Sequence, residues 1–545
     1  MMDVDRVPLA FRAQIEGRCQ VQRINRNLDD AADNEAYIWA REWLRGASQR
    51  PPEFPEGVKT QEYRITWRFV TNSGQDEGII RPVISGTGSP FYPGSSMKGA
   101  FRRACKQVFR DRVLKYCGGD DDDSQGQTKP GILRFHGAYP VNDWKDESDL
   151  VDLVHPQQEW QVEEQASHSA FFMMSLFQPR LRFGISSSKT LSEEEWAEIW
   201  QVWETALGYG IGSRVSAGYG HVTDSKAPTL LTMNLKGEGL FSQRVNGDLE
   251  FRPNMFKGAL RGHTLRLLGG VTTAEIAEDI TKRIWGGFAG HNGSVVGELG
   301  IAFKCDRNQL DDQTQWFKLE QGQLGILLLN VRDEERRQRL RKFVIRLMKF
   351  SMMLGGFGKS WRRSSHRKFF SNKDYERDIG CHWEFLGKDR SLYQPFHTLE
   401  DICKYFQALH SLMQKWVTQE EGQRLDTAGA NWRESWHRDR VQVWARFDDD
   451  MEPISTALDW FHQEEDAASH RSIKNSHLTG KLNQIGRMWH RMYPRYVKQN
   501  GKLRQRGFIE FLTIFPDGNA TGDDLKIQQE FWQFLEEISE FDRVW

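Results

Sequence analysis

Apolar residues recur with helical spacing from Met97 onward. Placed at about 100° per residue, Met97, Ala100, Phe101, Ala104, Cys105 and Val108 share one face, while Lys98, Arg102, Arg103, Lys106 and Arg110 gather opposite. Pro93 and Gly94 make a turn ahead of this helix, and Ser95 or Ser96 is placed to cap it. Upstream, alternation predicts strands over residues 9–24 and 63–71, separated by a polar then helical stretch over 25–46 and a proline-rich loop over 49–57. Downstream, strands are expected over 132–139, 170–176 and 181–185. A helix follows over 191–207, with Trp196, Trp200 and Trp203 at core spacing, and then a loop with five glycines, 208–220.

The pattern then repeats. Residues 251–266, FRPNMFKGALRGHTLR, set Phe256, Ala259, Leu260 and His263 on one face and Lys257 and Arg261 on another; Pro253, Lys257, Gly258, Ala259 and Arg261 match Pro93, Lys98, Gly99, Ala100 and Arg102 with one residue fewer between. Strands over 230–235 and 239–245, on either side of a bend, precede this copy, and a strand over 324–331 and a helix over 336–353 follow it. A second glycine-rich loop, 355–368, carries Lys359, Arg362, Arg363, His366, Arg367 and Lys368 beside Trp361. Two features recurring in one order indicate an internal duplication. Residues 374–470 break the repeat with helical patterns, many tryptophans and an acidic end. A basic and aromatic run over 477–496, containing Lys481, Arg487, His490, Arg491 and Arg495, precedes a last strand over 507–515 and a helix over 528–541.

Composition narrows the reading. With 545 residues, 38% hydrophobic and 27% charged, the chain suits a globular protein of several domains; a net charge of −1 confines any nucleic-acid site to a local patch. Six scattered cysteines, without a CxxC pair, suggest neither a zinc site nor a disulfide framework and fit the reduced cytoplasm. No run of 18 apolar residues points to a membrane span. The acidic run Asp120 to Asp123 reads as a solvated loop.

The turn and helix PGSSMKGAFRR, followed later by GIGSRVSAGYG, resembles the RAMP superfamily, the ferredoxin-like subunits that bind guide RNA in CRISPR effector complexes. The first half is most similar to the backbone subunits of type III complexes, and the whole to a tandem fusion as in type III-D variants. The second copy has Asn254, Met255 and Phe256 where the first has Gly-Ser-Ser, and is the more diverged. The resemblance implies an α+β chain of two tandem ferredoxin-like (RRM-like) RAMP domains. The first spans 1–226 and the second begins at 227–373, is interrupted by a helical insert at 374–470, and resumes at 471–545. It also implies a cytoplasmic ribonucleoprotein whose partners are guide RNA, target RNA and other effector subunits.

Cations beside glycine-rich loops suit phosphate contacts. The expected RNA-binding residues are Lys98, Arg102, Arg103, Lys106, Arg214, Lys257, Arg261, Lys359, Arg362, Arg363, Lys481, Arg487 and Arg491. In the family an acid in the loop ahead of the basic helix cuts the paired target RNA. The resemblance carries this role to Asp248 in the second copy, as ligand of Mg²⁺ or another divalent cation or as a group positioning the ribose 2′-OH. In the first copy Asp76, with Glu77 beside it, competes with Asp29, Asp30 and Asp33. A clamp that holds RNA without cutting is the first alternative. A nuclease that processes the guide precursor, with His366 or His490 as general acid or base, is the second.

Overall fold

Gly94 shows why the basic helix starts where it does. A Cβ on Gly94 would lie 2.0 Å from the Phe135 carbonyl oxygen, so only glycine lets the turn rest on the neighbouring strand. The computed structural model describes residues 35–48, 50–71, 74–76, 79–120, 128–142, 144–146, 150–154, 161–164, 171–226, 228–244, 246–288, 294–311, 315–366, 378–452, 454–462, 472–481 and 484–545. The expected strand over 9–24 lies outside them.

Helix α1 (Glu35–Gly46) and strand β1 (Lys59–Arg64) lead to α2 (Gly94–Val108), whose buried residues Met97, Ala100, Phe101, Ala104 and Cys105 form the apolar face read from the sequence. Pro93 is its N-cap and no side chain caps it; Ser95 and Ser96 lie exposed in the first turn, so neither takes the expected capping role. Strands β2 (Leu133–Pro140) and β3 (Arg180–Ser187) precede α3 (Glu193–Gly208). Ser192 caps α3 by accepting from the Glu195 N–H, while the Glu195 carboxylate accepts the Ser192 N–H, each at 3.2 Å.

These elements order as βαββαβ. Strand β3 lies between β1 and β2, pairing antiparallel from Lys59↔Ile185 to Arg64↔Arg180 and from Leu181↔Pro140 to Ser187↔Leu133. Residues 221–223 run along the outer side of the chain after β1, through Thr66 N–H to His221 O at 2.8 Å and Thr223 N–H to Arg64 O at 3.0 Å. The order 4-1-3-2 is ferredoxin-like. One sheet face is covered by α2 and α3, where Phe101, Phe183 and Trp203 are buried; the expected packing role of the α3 tryptophans is what the structure has.

A second sheet has the same order of elements. Strand β4 (Thr229–Leu240), α4 (Asn254–Gly269), β5 (Leu299–Lys304), β6 (Trp316–Leu328), α5 (Glu334–Phe350) and, beyond β7 (Arg362–Ser365), β8 (His382–Phe385) place the strands as β5-β6-β4-β8. The two strands and bend expected over 230–245 are largely one strand, β4, with a register shift between Leu235 and Gly237.

A third sheet takes the rest. After α6 (Leu399–Lys415), strands β9 (Gln442–Asp448), β10 (Met488–Gln499) and β11 (Lys502–Ile514) join β7, Asp378–Ile379 and Asp542–Arg543, with β10 and β11 as the long central hairpin and α7 (Gly522–Glu537) packed below. Strand β8 completes the second sheet from inside the stretch expected as an insert. Strand β9, from the same stretch, pairs with β11, so the strands of 471–545 build this third sheet and do not re-enter the second. The physical reason is burial: Met488 to Tyr493 are buried at every position, the signature of a strand covered on both faces. Among the described residues no helix is long and apolar enough to cross a membrane.

Candidate nucleic-acid interface

Two of the expected cationic elements meet. The glycine loop after α3 turns with Gly210, Gly212, Gly218 and Gly220 at positive φ, and Arg214 joins them at φ 59°. Gly220 admits no side chain, because a Cβ there would lie 1.9 Å from the Ile211 carbonyl oxygen. The loop lies against the second sheet: the Ile301 N–H donates to Ser216 O at 3.0 Å, and Ala217 bridges Ile301. Here Lys257 of α4 donates from Nζ to the Ser216 hydroxyl at 2.6 Å, and the Arg261 Nε–H donates to the Gly286 carbonyl at 3.3 Å. Burial, then the charges of Arg214 and Arg261, push the Lys257 ammonium down to about 7. Three half-buried cations therefore gather at this seam, and both charges that bear on Lys257 repel it.

A buried ionic clamp holds the seam. Arg68 donates from Nε at 2.8 Å and from Nη2 at 2.6 Å to Glu250, which also accepts the Trp67 indole N–H at 2.7 Å. Arg252 pairs with Asp152, and the Tyr219 hydroxyl of the glycine loop donates to Asp152 at 2.8 Å. Burial opposes ionising both acids, yet Arg68 and Arg252 outweigh it and hold the two carboxyls below their usual range. Sequence reading missed these residues. The one signal was alternation in LEFR, where Glu250 and Arg252 flank Phe251 as charged groups on the approach to α4.

On α2, Lys98, Arg103 and Lys106 are exposed and Arg102 is half-buried, with its guanidinium close to Gly119; among the described residues none of the four has an ion-pair partner. The later patches are different. Lys359 is exposed, but Arg362 stacks on Trp361 with 4.8 Å to the ring centroid and bonds His462. Arg363 and Arg491 lie side by side on the parallel strands β7 and β10, 4% and 5% exposed. Arg487 pairs with Glu164 at 3.1 Å and Asp517 at 3.3 Å. Of Lys481 only the backbone is described. Thus Arg363 and Arg491 are interior to the third sheet and do not form the surface patch expected of them. His366 and His490 are also fully buried, and the His490 Nε2–H donates to the Glu510 carboxylate at 2.9 Å.

Asp248 sits on the tip of the short hairpin before α4, its side chain 47% exposed and bonded to Arg244 at 2.9 Å and to the Asn246 amide at 2.6 Å. Asp76 ends the short strand Gly74–Asp76, and Asp29, Asp30 and Asp33 lie outside the described residues. No group of three His, Cys, Asp or Glu able to hold a metal ion occurs among the described residues. Arg244 and Asn246 both hold the Asp248 Oδ2 atom, so a cation at Asp248 would meet the Oδ1 side of the carboxylate.

Residues 73–223 match the RAMP superfamily model. This part of the chain is a RAMP domain. It contains α2, α3 and the glycine loop, so the Arg214 side of the seam belongs to the RAMP domain and the Lys257 side to the unit built on the second sheet. A chain of a Type IV-B CRISPR complex is 18% identical, covering 30% of this chain and 87% of its own, at a TM-score of 0.23. Cmr6 from Pyrococcus furiosus is 14% identical, covering 30% and 96%, at a TM-score of 0.20. No curated protein matches the chain.

Proposed function

We propose that this chain is an RNA-binding backbone subunit of a CRISPR ribonucleoprotein, made of two RAMP units in tandem that hold guide RNA by its phosphates. The observation that carries the reading is the seam of Arg214, Lys257 and Arg261, where a chain of net charge −1 concentrates cations from two units. A phosphate placed there offsets the mutual repulsion of the three groups, and the exposed cations of α2 extend the track. Such contacts are independent of base identity and leave target choice to pairing. Binding of single-stranded RNA by Lys257→Met and by Lys98→Ala/Arg103→Ala tests it: weakened binding by both supports one track, and unchanged binding by both removes it.

The exposed hairpin acid favours a second reading, in which target RNA paired to the guide is cut. The hold of Arg244 on the Asp248 carboxylate favours holding over cutting at this acid. Cleavage assays with Mg²⁺ on an assembled complex, comparing wild type with Asp248→Ala and Asp76→Ala, decide this: loss of one discrete product assigns cutting to that acid, and unchanged products leave the chain a clamp.

A further inference from the structure

The RAMP domain carries a second cationic feature, on the sheet face away from α2 and α3. In the β1–β3 register Glu62 faces Arg182 and Arg64 faces Arg180, so these four side chains share one face, while Tyr63, Leu181 and Phe183 turn to the core on the other. With Asn142 and Gln178 they line a cleft of about 400 Å³, within the range of small-molecule sites.

The charges in the cleft do not balance. Arg182 is tied to Glu62 at 2.8 Å, and Arg180 reaches the same carboxylate at 4.0 Å. Arg64 has an amide partner instead, donating from Nη2 to the Gln178 Oε1 at 3.1 Å. Three guanidiniums and one carboxylate leave two positive charges, the complement of a phosphate monoester dianion, and guanidinium forks match phosphate oxygens in pairs.

Backbone geometry adds an independent observation. Gln178 adopts φ 43°, a left-handed conformation that costs a non-glycine residue energy and collects at functional sites. It is held there by its N–H to Trp67 O at 2.6 Å and by its side-chain amide to Thr66 O at 3.2 Å, which aims its carbonyl at Arg64. The Asn142 carbonyl accepts the Arg180 N–H at 2.7 Å and fixes the opposite wall. A merely solvated charged face needs neither device.

We propose that this cleft binds a terminal phosphate on a ribonucleotide, distinct from the internal phosphates held at the Arg214–Lys257–Arg261 seam. The shared chemistry is a phosphate monoester, carried either by an RNA 5′ end or by a free nucleotide. The test is calorimetry of the full chain with a 5′-phosphorylated RNA trinucleotide and with its 5′-hydroxyl counterpart. The phosphorylated form should bind at least tenfold tighter, Arg64→Gln/Arg180→Gln should erase that preference, and Glu62→Gln should increase it. Lys257→Met should leave the preference in place, which separates this site from the seam. Competition by AMP as strong as the phosphorylated trinucleotide assigns a free nucleotide; weak competition assigns an RNA end. Equal binding of the two trinucleotides, or a preference that survives Arg64→Gln/Arg180→Gln, overturns the proposal. Both arginines are exposed strand residues, and thermal melting of the double variant confirms that it stays folded.

Discussion

Replacing Arg68 with methionine removes one half of the buried clamp and leaves the other. Glu250 then loses both guanidinium bonds, at 2.6 and 2.8 Å, and keeps the Trp67 indole and the more distant Arg244 guanidinium at 3.8 Å, with its carboxylate still out of water. Stripping one partner from a buried pair costs about 3–5 kcal/mol, because the remaining charge loses its closest compensation. For a unit of 150–250 residues that lowers the melting temperature by roughly 6–20 °C, at about 2–4 °C per kcal/mol. Arg68→Met/Glu250→Leu should recover most of the loss, since removing both charges also removes the desolvation they demanded. The assay is thermal melting of the three chains at neutral pH. A fall of less than about 2 °C in the single variant, or a double variant no more stable than the single, would refute the reasoning and mean that water reaches the clamp.

Acid should weaken the same clamp. Glu250 and Asp152 have folded-state pKa values below their unfolded values of about 4, so their stabilisation is complete above about pH 4 and is lost as pH falls further; melting temperature followed from pH 6 to pH 3 should drop, and less steeply in Arg68→Met/Glu250→Leu. Lys257 gives the opposite test on binding. Its ammonium is pushed down to about 7 by burial and then by Arg214 and Arg261, and a bound phosphate raises it, so RNA affinity should fall by up to tenfold per pH unit between about pH 7 and 8.5; Lys257→Met should flatten that slope. Gly94→Ala, with a Cβ 2.0 Å from the Phe135 carbonyl, should lift the start of α2 off β2 and lower the melting temperature measurably, whereas Ser95→Ala, at an exposed position without a capping bond, should leave it unchanged.

The apolar faces of α2 and α4 and the tryptophan core of α3 were legible, because helical spacing reports which side of a helix meets the core. The glycine loop was legible as a turn, but its position against β5 was not, since the Ser216–Lys257 contact joins residues 41 apart and depends on how two sheets pack. Arg363 and Arg491 misled for a related reason. Cations among aromatics on a strand look the same in sequence whether the strand lies at the surface or is covered on both faces, and β7 and β10 are covered. The division of the C-terminal half failed likewise: nothing local to β8 or β9 states which sheet each will join.

The central claim is that one phosphate track crosses the seam between the units. Equilibrium binding of a guide-length single-stranded RNA to the full chain, measured across a salt series for wild type and Arg214→Gln/Lys257→Met/Arg261→Gln, tests it most directly. Every phosphate that the protein no longer neutralises should reduce the slope of log affinity against log salt by about 0.7, so the triple variant should bind more weakly and with a slope lower by about 2. Parallel salt dependences of equal affinity would contradict the account and place the RNA elsewhere on the chain.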